Sequence, residues 1–270
     1  VVMARDEIRS DLQPSGKQSF RYNSFGVYYT RVTGIWQTVW LEARPQQFIK
    51  RVNIVPKLEE NQFVVTPSFD VASRQLTFRA VLSTPHGEKL KTVKAHAVDG
   101  KPVIIPIKDP HPWSLEDPYL YDLTFELENS EKTLDRVESY AGLRKFHIED
   151  NTFYLNNKPI FMRLVLDQGY YPDGLWTAPS DEALKGDIER AMRVGFNGAR
   201  LHQKVFEPRF HYWADKLGYI TWGEIGDWGS FKYRSFFNMA TIWNHHREWR
   251  EVVMRDRNHP SIVAWTPYNE

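Results

Sequence analysis

The first half of the chain alternates apolar and polar residues in short runs separated by turn signals, a pattern typical of β-strands. Runs rich in aromatic and β-branched residues predict strands at 28–33 and 35–41. The strands predicted after Pro45 cover 48–55, 63–69, 75–82, 90–98 and 119–127. Strands at this spacing predict an all-β sandwich of roughly a hundred residues, the usual size of an immunoglobulin-like domain.

Beyond residue 146 the pattern changes to strands that alternate with helices. A hairpin is predicted around Asn156-Asn157. Helices are predicted over 181–194 after an N-cap at Ser180, from Pro208 to the stop at Gly218, and over 240–257; they separate strands at 160–166, 197–201, 219–222 and 261–265. Strict alternation implies parallel strands joined by helical crossovers. Four such strands fit either the first half of a (β/α)8 barrel or a small open α/β domain.

Polar and aromatic residues follow each of these four strands. The residues concerned are Asp167, Gln168, Gly169 and Tyr170 after the first strand, Arg200, His202, Gln203 and Lys204 at the second, Trp222, Glu224, Asp227 and Trp228 at the third, and Tyr268, Asn269 and Glu270 after the fourth. In both candidate folds, active sites lie at the carboxyl ends of parallel strands. Carboxylates, amides and tryptophans suit a polyhydroxylated ligand better than a phosphate or an apolar one.

Composition narrows the classes of function. Aromatic residues make up 14% of the 270 residues, with 10 Trp, which fits either large cores or aromatic faces that stack on sugar rings. A net charge of +1 gives no basic surface for nucleic acid and no polybasic patch for a membrane. The absence of cysteine excludes disulfides, thiolate catalysis and Cys-ligated zinc.

Other classes of site and segment find no support in the sequence. It contains neither a glycine-rich nucleotide loop nor a G-x-S-x-G nucleophile elbow. His245 and His246 are neighbours on a predicted helix and point about 100° apart, so we interpret them as a solvated face rather than metal ligands. No apolar run is long enough for a transmembrane helix, and no signal-peptide core is present. Cytoplasmic, periplasmic and secreted locations all stay open, the last two after removal of a signal.

Several runs of the sequence resemble one enzyme family. Residues 258–265 (NHPSIVAW), closing with Asn269-Glu270, resemble the acid/base signature of glycoside hydrolase family 2, which includes β-galactosidases, β-glucuronidases and β-mannosidases. Residues 29–42 resemble the last strands of its jelly-roll sugar-binding domain, 111–121 the end of its immunoglobulin-like domain, and 142–146 and 156–159 the entry into its barrel. The matches cover nearly the whole chain in the family's order.

The resemblance implies a multidomain β plus α/β chain. The end of a jelly-roll domain would occupy 1–44, an immunoglobulin-like β-sandwich 45–146, and the first four strands of a (β/α)8 TIM barrel 147–270. It also implies a partial chain, because the family's nucleophile is a glutamate after the seventh barrel strand and this sequence reaches the fourth.

The activity implied is that of a retaining exo-β-glycosidase, of β-galactosidase or β-glucuronidase type, acting on terminal β-linked sugars. Glu270 would be the general acid/base, with its pKa raised by the nucleophile's charge and by burial. Asn269 would bind the sugar 2-hydroxyl. The alternatives are a non-catalytic carbohydrate-binding protein on the same scaffold, and an adhesion-type β-sandwich with an unrelated α/β domain.

Further roles follow from the same resemblance. Arg200 would either keep the nucleophile ionised or form a structural salt bridge. Glu224 would bind sugar hydroxyls or a partner arginine. Trp222, Trp228 and Tyr268 are candidate stacking platforms for the sugar, whereas Trp265, inside a predicted strand, is assigned to the core.

The sequence departs from the family pattern at two strand ends. Asp167-Gln168-Gly169 stand where many members carry Arg-His-Glu, and His202-Gln203-Lys204-Val205 stand where they carry Ser-His-Tyr-Pro. We therefore expect Asp167, Gln168, His202 and Lys204 to set the sugar preference, with Lys204 facing a uronic-acid carboxylate.

The expected partner is a β-linked oligosaccharide or glycoside, with no nucleic acid and no membrane. Homo-oligomer formation is left open. No cofactor is predicted, and a structural cation in the complete enzyme is left open.

Overall fold

A β-sandwich forms the first regular part of the protein. The structure is a computed structural model that describes residues 2–5, 12–227 and 239–269. The sandwich strands are β1 (Ile49–Lys57), β2 (Gln62–Phe69), β3 (Ser73–Ser83), β4 (Lys89–Ala97), β5 (Val103–Pro106), β6 (Tyr121–Glu128) and β7 (Thr133–Ala141). One sheet has the order β1-β2-β5 and the other the order β4-β3-β6-β7, with antiparallel neighbours throughout.

The core of the sandwich follows from the alternation seen in the sequence. In an extended strand, every second side chain points to the same face. On β3, Phe78, Ala80 and Leu82 are fully buried, and on β6 Phe125 and Leu127 are fully buried. Each large buried side chain stabilises the fold by about 1.5–3 kcal/mol. The strands predicted at 48–55, 63–69, 75–82, 90–98 and 119–127 are confirmed to within a few residues.

A small three-stranded sheet connects the sandwich to the second regular part. It consists of β8 (Phe146–Glu149), β9 (Thr152–Leu155) and β10 (Lys158–Ile160), in the order β10-β9-β8. Asn156 and Asn157 form the predicted turn between β9 and β10, with φ angles of 52° and 62°. Asparagine adopts this left-handed conformation more readily than most residues, which suits a type I′ hairpin.

Four parallel strands with helical crossovers form the second part. Along the chain these are β11 (Leu164–Asp167), α1 (Asp181–Arg193), β12 (Gly198–Leu201), α2 (Pro208–Leu217), β13 (Ile220–Glu224), α3 (Met239–Asp256) and β14 (Ile262–Thr266). The sheet order is β11-β12-β13-β14. Ser180 caps α1 by accepting a hydrogen bond from the Ala183 amide at 3.2 Å, as predicted. Gly218 ends α2 with φ 70°, also as predicted.

The two faces of the parallel sheet differ in chemistry. Ala199 and Leu201 on β12 pack against the helices, together with Leu184, Ile188 and Phe210. Arg200 lies between Ala199 and Leu201, so it faces the other side of the sheet. No helix in the described parts of the chain is both long enough and apolar enough to cross a membrane.

The strands predicted at 28–33 and 35–41 are wrong. Residues 12–46, here called the N-terminal segment, contain only isolated bridges, one between Gln18 and Tyr29 and one between Phe25 and Tyr28. A strand is stable only when a neighbour pairs with its backbone, and this segment has no sheet partner among the described residues. Conversely, β5 and β7 were not predicted. The sequence of β7 is largely polar, but it pairs with β6 along its length.

A buried carboxylate joins the sandwich to the parallel sheet. Asp215 on α2 has no exposed area, and its Oδ2 accepts hydrogen bonds from the Tyr140 hydroxyl at 2.8 Å and from His259 Nδ1 at 2.5 Å. Its Oδ1 accepts from the Ser261 amide at 2.9 Å, and its main-chain oxygen accepts from the Trp113 indole at 2.8 Å. Tyr140 and Trp113 belong to the sandwich side, so this one residue connects both parts at the amino-terminal end of β14.

We expect Asp215→Asn to lower the free energy of unfolding by about 3 kcal/mol, because the amide cannot accept from all the donors that the carboxylate satisfies. Asp117→Asn is a matched control: Asp117 lies 2.5 Å from His111, the same distance, but its side chain is 62% exposed. The control should cost less than about 1 kcal/mol. Urea denaturation followed by tryptophan fluorescence measures both, and equal costs would contradict a burial-dependent role for Asp215.

The same pair should make stability depend on pH. Burial acts to lower the pKa of His259, but the Asp215 carboxylate outweighs it and raises the pKa above its usual value. The stabilising contribution is therefore complete below about pH 6.5, the unfolded value, and is lost as pH rises through the higher folded pKa. We expect the melting temperature of the wild type to fall over this range relative to that of Asp215→Asn. Parallel pH profiles in differential scanning fluorimetry would refute this expectation.

Candidate functional site

Three polar side chains from three parallel strands meet on the face of the sheet opposite the helices. Arg200, on β12, donates from Nε to Glu224 Oε2 at 2.8 Å. From Nη2 it donates to Asn269 Oδ1 at 2.6 Å. The Glu224 side chain has no exposed area, whereas the Arg200 side chain keeps 33% of its own. The arginine therefore links a buried carboxylate to an amide at the carboxyl end of β14, and an edge of it remains open to a ligand.

Glu224 receives further donors from the loop after β12. The main-chain N–H of Gln203 donates to Glu224 Oε1 at 3.0 Å, and His202 Nδ1 lies 3.0 Å from the same oxygen. Burial lowers the pKa of His202; Lys17 and Arg200 act in the same direction and the Glu224 carboxylate opposes them. His202 is consequently neutral at pH 7 and supplies a polar but uncharged group to the site.

A second buried carboxylate lies beside the first. Asp227, just after β13, is 1% exposed, and its Oδ2 accepts from the Asn269 amide at 2.9 Å. Its own amide donates to Gln203 Oε1 at 3.1 Å. Sequence reasoning placed Gln203 and Asp227 at the strand ends but gave neither a role. Their positions in the sequence could have indicated a role, because Gln203 follows β12 and Asp227 follows β13, the strands that carry Arg200 and Glu224.

Two of the predicted stacking platforms have defined neighbours. Trp222 donates from Nε1 to Thr266 Oγ1 at 2.7 Å, which fixes its ring against β14. Tyr268 is 42% exposed and stacks on the His245 ring, with centroids 4.5 Å apart. The interpretation of His245 as part of a solvated helix face is wrong: it is fully buried, because the chain after β14 folds over it, while His246 is exposed.

Asp167 does not join this group. Its partner in the strand register is Leu201, which belongs to the helix-facing core, so Asp167 lies on the opposite face of the sheet from Arg200. Its Oδ1 accepts from the Gly169 amide at 2.8 Å, and burial raises its pKa. The expectation that Asp167 contacts the sugar is corrected accordingly, because side chains alternate along β11 and Leu166, not Asp167, shares the face of Arg200.

Gln168 and Asp167 line a cavity of about 420 Å³ between β11 and α1. Tyr29 and Tyr170 also line it, with their rings stacked at 4.2 Å. Gln168 Oε1 has no hydrogen-bond partner among the described residues. The cavity therefore lies beside β11 and does not include Arg200, Glu224 or Asn269.

Lys204 is turned away from solvent. Its side chain is 1% exposed, and its ammonium donates to the main-chain oxygens of Gly169 and Trp176, each at 2.7 Å. Burial lowers its pKa to about 8, opposed by Glu207, Asp167 and Asp187. The expectation that Lys204 faces a uronic-acid carboxylate is corrected, because two backbone carbonyls already occupy the ammonium in the interior.

The surroundings of Lys204 attach the N-terminal segment to the parallel sheet. The ammonium lies 4.9 Å from the centre of the Trp36 ring, and Trp36 stacks on Trp176 at 4.8 Å. Gln37 donates from Nε2 to the main-chain oxygen of Val205 at 3.1 Å. Lys204 is thus a structural residue that holds the loops behind the site.

Two predicted residues cannot be placed. Glu270 and Trp228 lie outside the described residues, so their roles stay predictions. Within residues 2–5, 12–227 and 239–269, no group of three or more histidine, aspartate or glutamate side chains has the arrangement to hold a metal ion.

The chain is similar to known glycosidases. Residues 47–144 match the family model described as glycosyl hydrolases family 2. The chain is 28% identical over 256 residues to a putative beta-glucuronidase of Formosa agariphila, covering 88% of this chain and 29% of that protein. It is 25% identical over 264 residues to a beta-galactosidase of Photobacterium profundum, covering 88% of this chain and 25% of that protein. It therefore spans between a quarter and a third of the length of these relatives.

A solved structure has a similar fold. The beta-glucuronidase of Ruminococcus gnavus matches with a TM-score of 0.74 at 20% sequence identity, over 84% of this chain and 38% of that one. The family match covers the β-sandwich, and the similarity to the two relatives extends over 88% of the chain. Residues 47–144 are therefore a domain of glycosyl hydrolases family 2, and most of the chain is similar to a putative beta-glucuronidase and a beta-galactosidase.

Proposed function

We propose that this chain is part of a retaining exo-β-glycosidase that removes terminal β-linked sugars from an oligosaccharide or glycoside. The observation that carries the proposal is the bond from Arg200 to Asn269, with Arg200 itself held by the buried Glu224. Three strands thereby present a fixed amide and a cation immediately before Glu270. The relatives bear the names putative beta-glucuronidase and beta-galactosidase, which supports the same class of substrate here.

In the proposed mechanism, two carboxyl groups about 5–5.5 Å apart act on opposite sides of the glycosidic bond. The nucleophile, supplied by a glutamate of a later barrel strand, attacks the anomeric carbon. Glu270 protonates the leaving oxygen as the glycosidic bond breaks. As a base it then removes a proton from the water that attacks the anomeric carbon and releases the nucleophile. Its pKa is raised while the nucleophile is charged and falls once the sugar ester forms, which suits both steps.

Asn269 has a role that fits its geometry. Its Oδ1 accepts from Arg200, so the amide is oriented with Nδ2 available to donate to the sugar 2-hydroxyl. Such a contact strengthens in the oxocarbenium-like transition state. His202, Trp222, Trp228 and Tyr268 complete the proposed sugar-binding set, whereas Gln168 lines the separate cavity beside β11.

We also propose the finer fold. Residues 147–270 are the first half of a (β/α)8 barrel, residues 45–146 an immunoglobulin-like domain, and residues 1–44 the end of a jelly-roll domain. β11 is the edge strand of its sheet, and Leu166 on the site face is 51% exposed; both observations support a barrel in which further strands pair with β11 and enclose that face.

The second candidate function is non-catalytic carbohydrate binding on the same scaffold. It would use the same aromatic and amide groups without bond cleavage. A test of turnover separates the two, because a binding protein would take up a glycoside and release it unchanged.

In the complete protein, we expect Glu270→Gln to lower kcat/KM on alkyl β-glycosides by about 10²–10⁴-fold, because the amide cannot protonate the leaving oxygen. Release of product from a panel of β-galactosides, β-glucuronides and β-mannosides measures this, with dinitrophenyl glycosides as controls that need little protonation. Turnover near the wild-type rate on the alkyl substrates would remove Glu270 from its assigned role.

For Lys204→Met we expect a lower melting temperature and equal losses of activity on uronides and neutral glycosides. The ammonium binds the carbonyls of Gly169 and Trp176 rather than facing the site, so its removal should not discriminate between sugars. The ratio of kcat/KM on matched nitrophenyl β-glucuronide and β-galactoside is the measurement. A selective loss on the uronide would restore the contact with a substrate carboxylate.

A further inference from the structure

We propose that Asp227 and Gln203 form a positioning pair that fixes the main chain at Asn269, and through it the adjoining acid/base Glu270. The inference rests on the proposed function. Neither residue touches the reacting atoms in this assignment; both act through the peptide that carries the site residues.

The contacts of Asp227 are those of a clamp. Its Oδ2 accepts from the Asn269 amide at 2.9 Å, and its Oδ1 accepts from Gln203 Nε2. The Asp227 amide in turn donates to Gln203 Oε1 at 3.1 Å. Asp227 therefore binds both Nε2 and Oε1 of the Gln203 side chain, which fixes the orientation of that side-chain amide. A carboxylate that is 1% exposed requires such donors, because burying it without them is costly.

The pair is anchored to the rest of the site through Gln203. The Gln203 amide donates to Glu224 Oε1 at 3.0 Å, and Glu224 holds Arg200, which binds the Asn269 side chain. Asn269 is consequently fixed from two directions: its amide by Asp227, and its side-chain oxygen by Arg200.

The backbone around the pair is tightly constrained. Gln203 has φ 58°, a left-handed conformation that is unfavourable for a residue with a Cβ and persists only where the surroundings impose it. A Cβ on Gly226 would lie 2.9 Å from Gly16 Cα and 3.1 Å from the Gln203 oxygen. The loops after β12 and β13 and the N-terminal segment are thus packed backbone to backbone, which keeps Asp227 from shifting.

A third element supports the same stretch of chain. His245 Nε2 lies 3.0 Å from the Pro267 oxygen, so it carries the proton and donates, and burial lowers the pKa of His245, which keeps the ring neutral. The ring also stacks on Tyr268. Residues 267–269 are thereby held by α3, by the loop after β13 and by β12 at once, an arrangement that suits a segment whose next residue must be placed accurately.

The test uses the leaving-group dependence of kcat/KM in the complete protein, because this parameter reports the step in which the general acid acts. Misplacing a general acid slows cleavage of substrates that need protonation and spares those that do not. In Asp227→Asn, the new side-chain amide cannot accept from both Gln203 Nε2 and the main-chain N–H of Asn269. We therefore expect kcat/KM on alkyl β-glycosides to fall by about 10–100-fold. On dinitrophenyl β-glycosides we expect a loss of less than about 3-fold.

Two further variants make the result decisive. Gln203→Leu removes the partner of Asp227 without changing its charge, and should give the same dependence on leaving group; it also carries the test if Asp227→Asn does not fold. Adding Asp227→Asn to Glu270→Gln should cause little further loss on alkyl substrates, because the acid being positioned is already absent. Melting temperatures of all variants control for general destabilisation.

Equal losses on alkyl and dinitrophenyl substrates for both variants would overturn the positioning role and assign the pair to structure alone. In that case Glu270→Gln would still show its own leaving-group dependence, so the proposed function would stand. If the wild type cleaves no β-glycoside of the panel, the proposed function fails and the positioning inference fails with it.

Discussion

The arrangement of the site depends on the Glu224 carboxylate, which has no exposed area at the carboxyl end of β13. A buried carboxylate is tolerated only when donors surround it, and these donors come from the neighbouring strand and its loop. Arg200 and the Gln203 amide both point to it, and Arg200 then has a second group to offer to Asn269. The charge of one side chain therefore sets the positions of residues from three parallel strands.

The opposite end of the sheet solves a different problem by the same means. Asp215 is also fully buried, but its donors come from the β-sandwich and from the start of β14. It contributes to the joint between the two parts of the chain and lies away from the site residues. The carboxyl ends of the strands thus carry the proposed chemistry and the amino ends carry the connection, a division that is common in folds built on parallel strands.

Features encoded in a few neighbouring residues were predictable from the sequence. The cap at Ser180, the start of α2 at Pro208 and the turn at Asn156-Asn157 each follow from local backbone preferences. The strands of the sandwich core were predictable because their alternation reflects burial on one face. The proximity of Arg200 and Glu224 was predictable because parallel strands bring their carboxyl ends to one edge.

Features that depend on distant partners were not predictable. The N-terminal segment has strand-forming residues but no pairing strand among the described residues, so its composition predicted strands that do not form. Asp167 is the last residue of β11, and the face of the sheet on which its side chain lies depends on the register of β11 with β12. Lys204 and His245 look like exposed polar residues in the sequence; their burial is decided by loops and by the chain after β14, which no local pattern encodes.

The contacts of Lys204 cross the domain boundary that sequence similarity suggests. A boundary drawn from sequence similarity at residue 44 assigns Trp36 and Gln37 to one unit and the lysine they surround to another. A recombinant fragment that starts at residue 45 would lack Trp36, so the Lys204 ammonium would lose the ring that covers it. The structural unit that contains Lys204 and its neighbours is therefore larger than the unit that similarity outlines, and truncation studies should keep the irregular segment that precedes the sandwich.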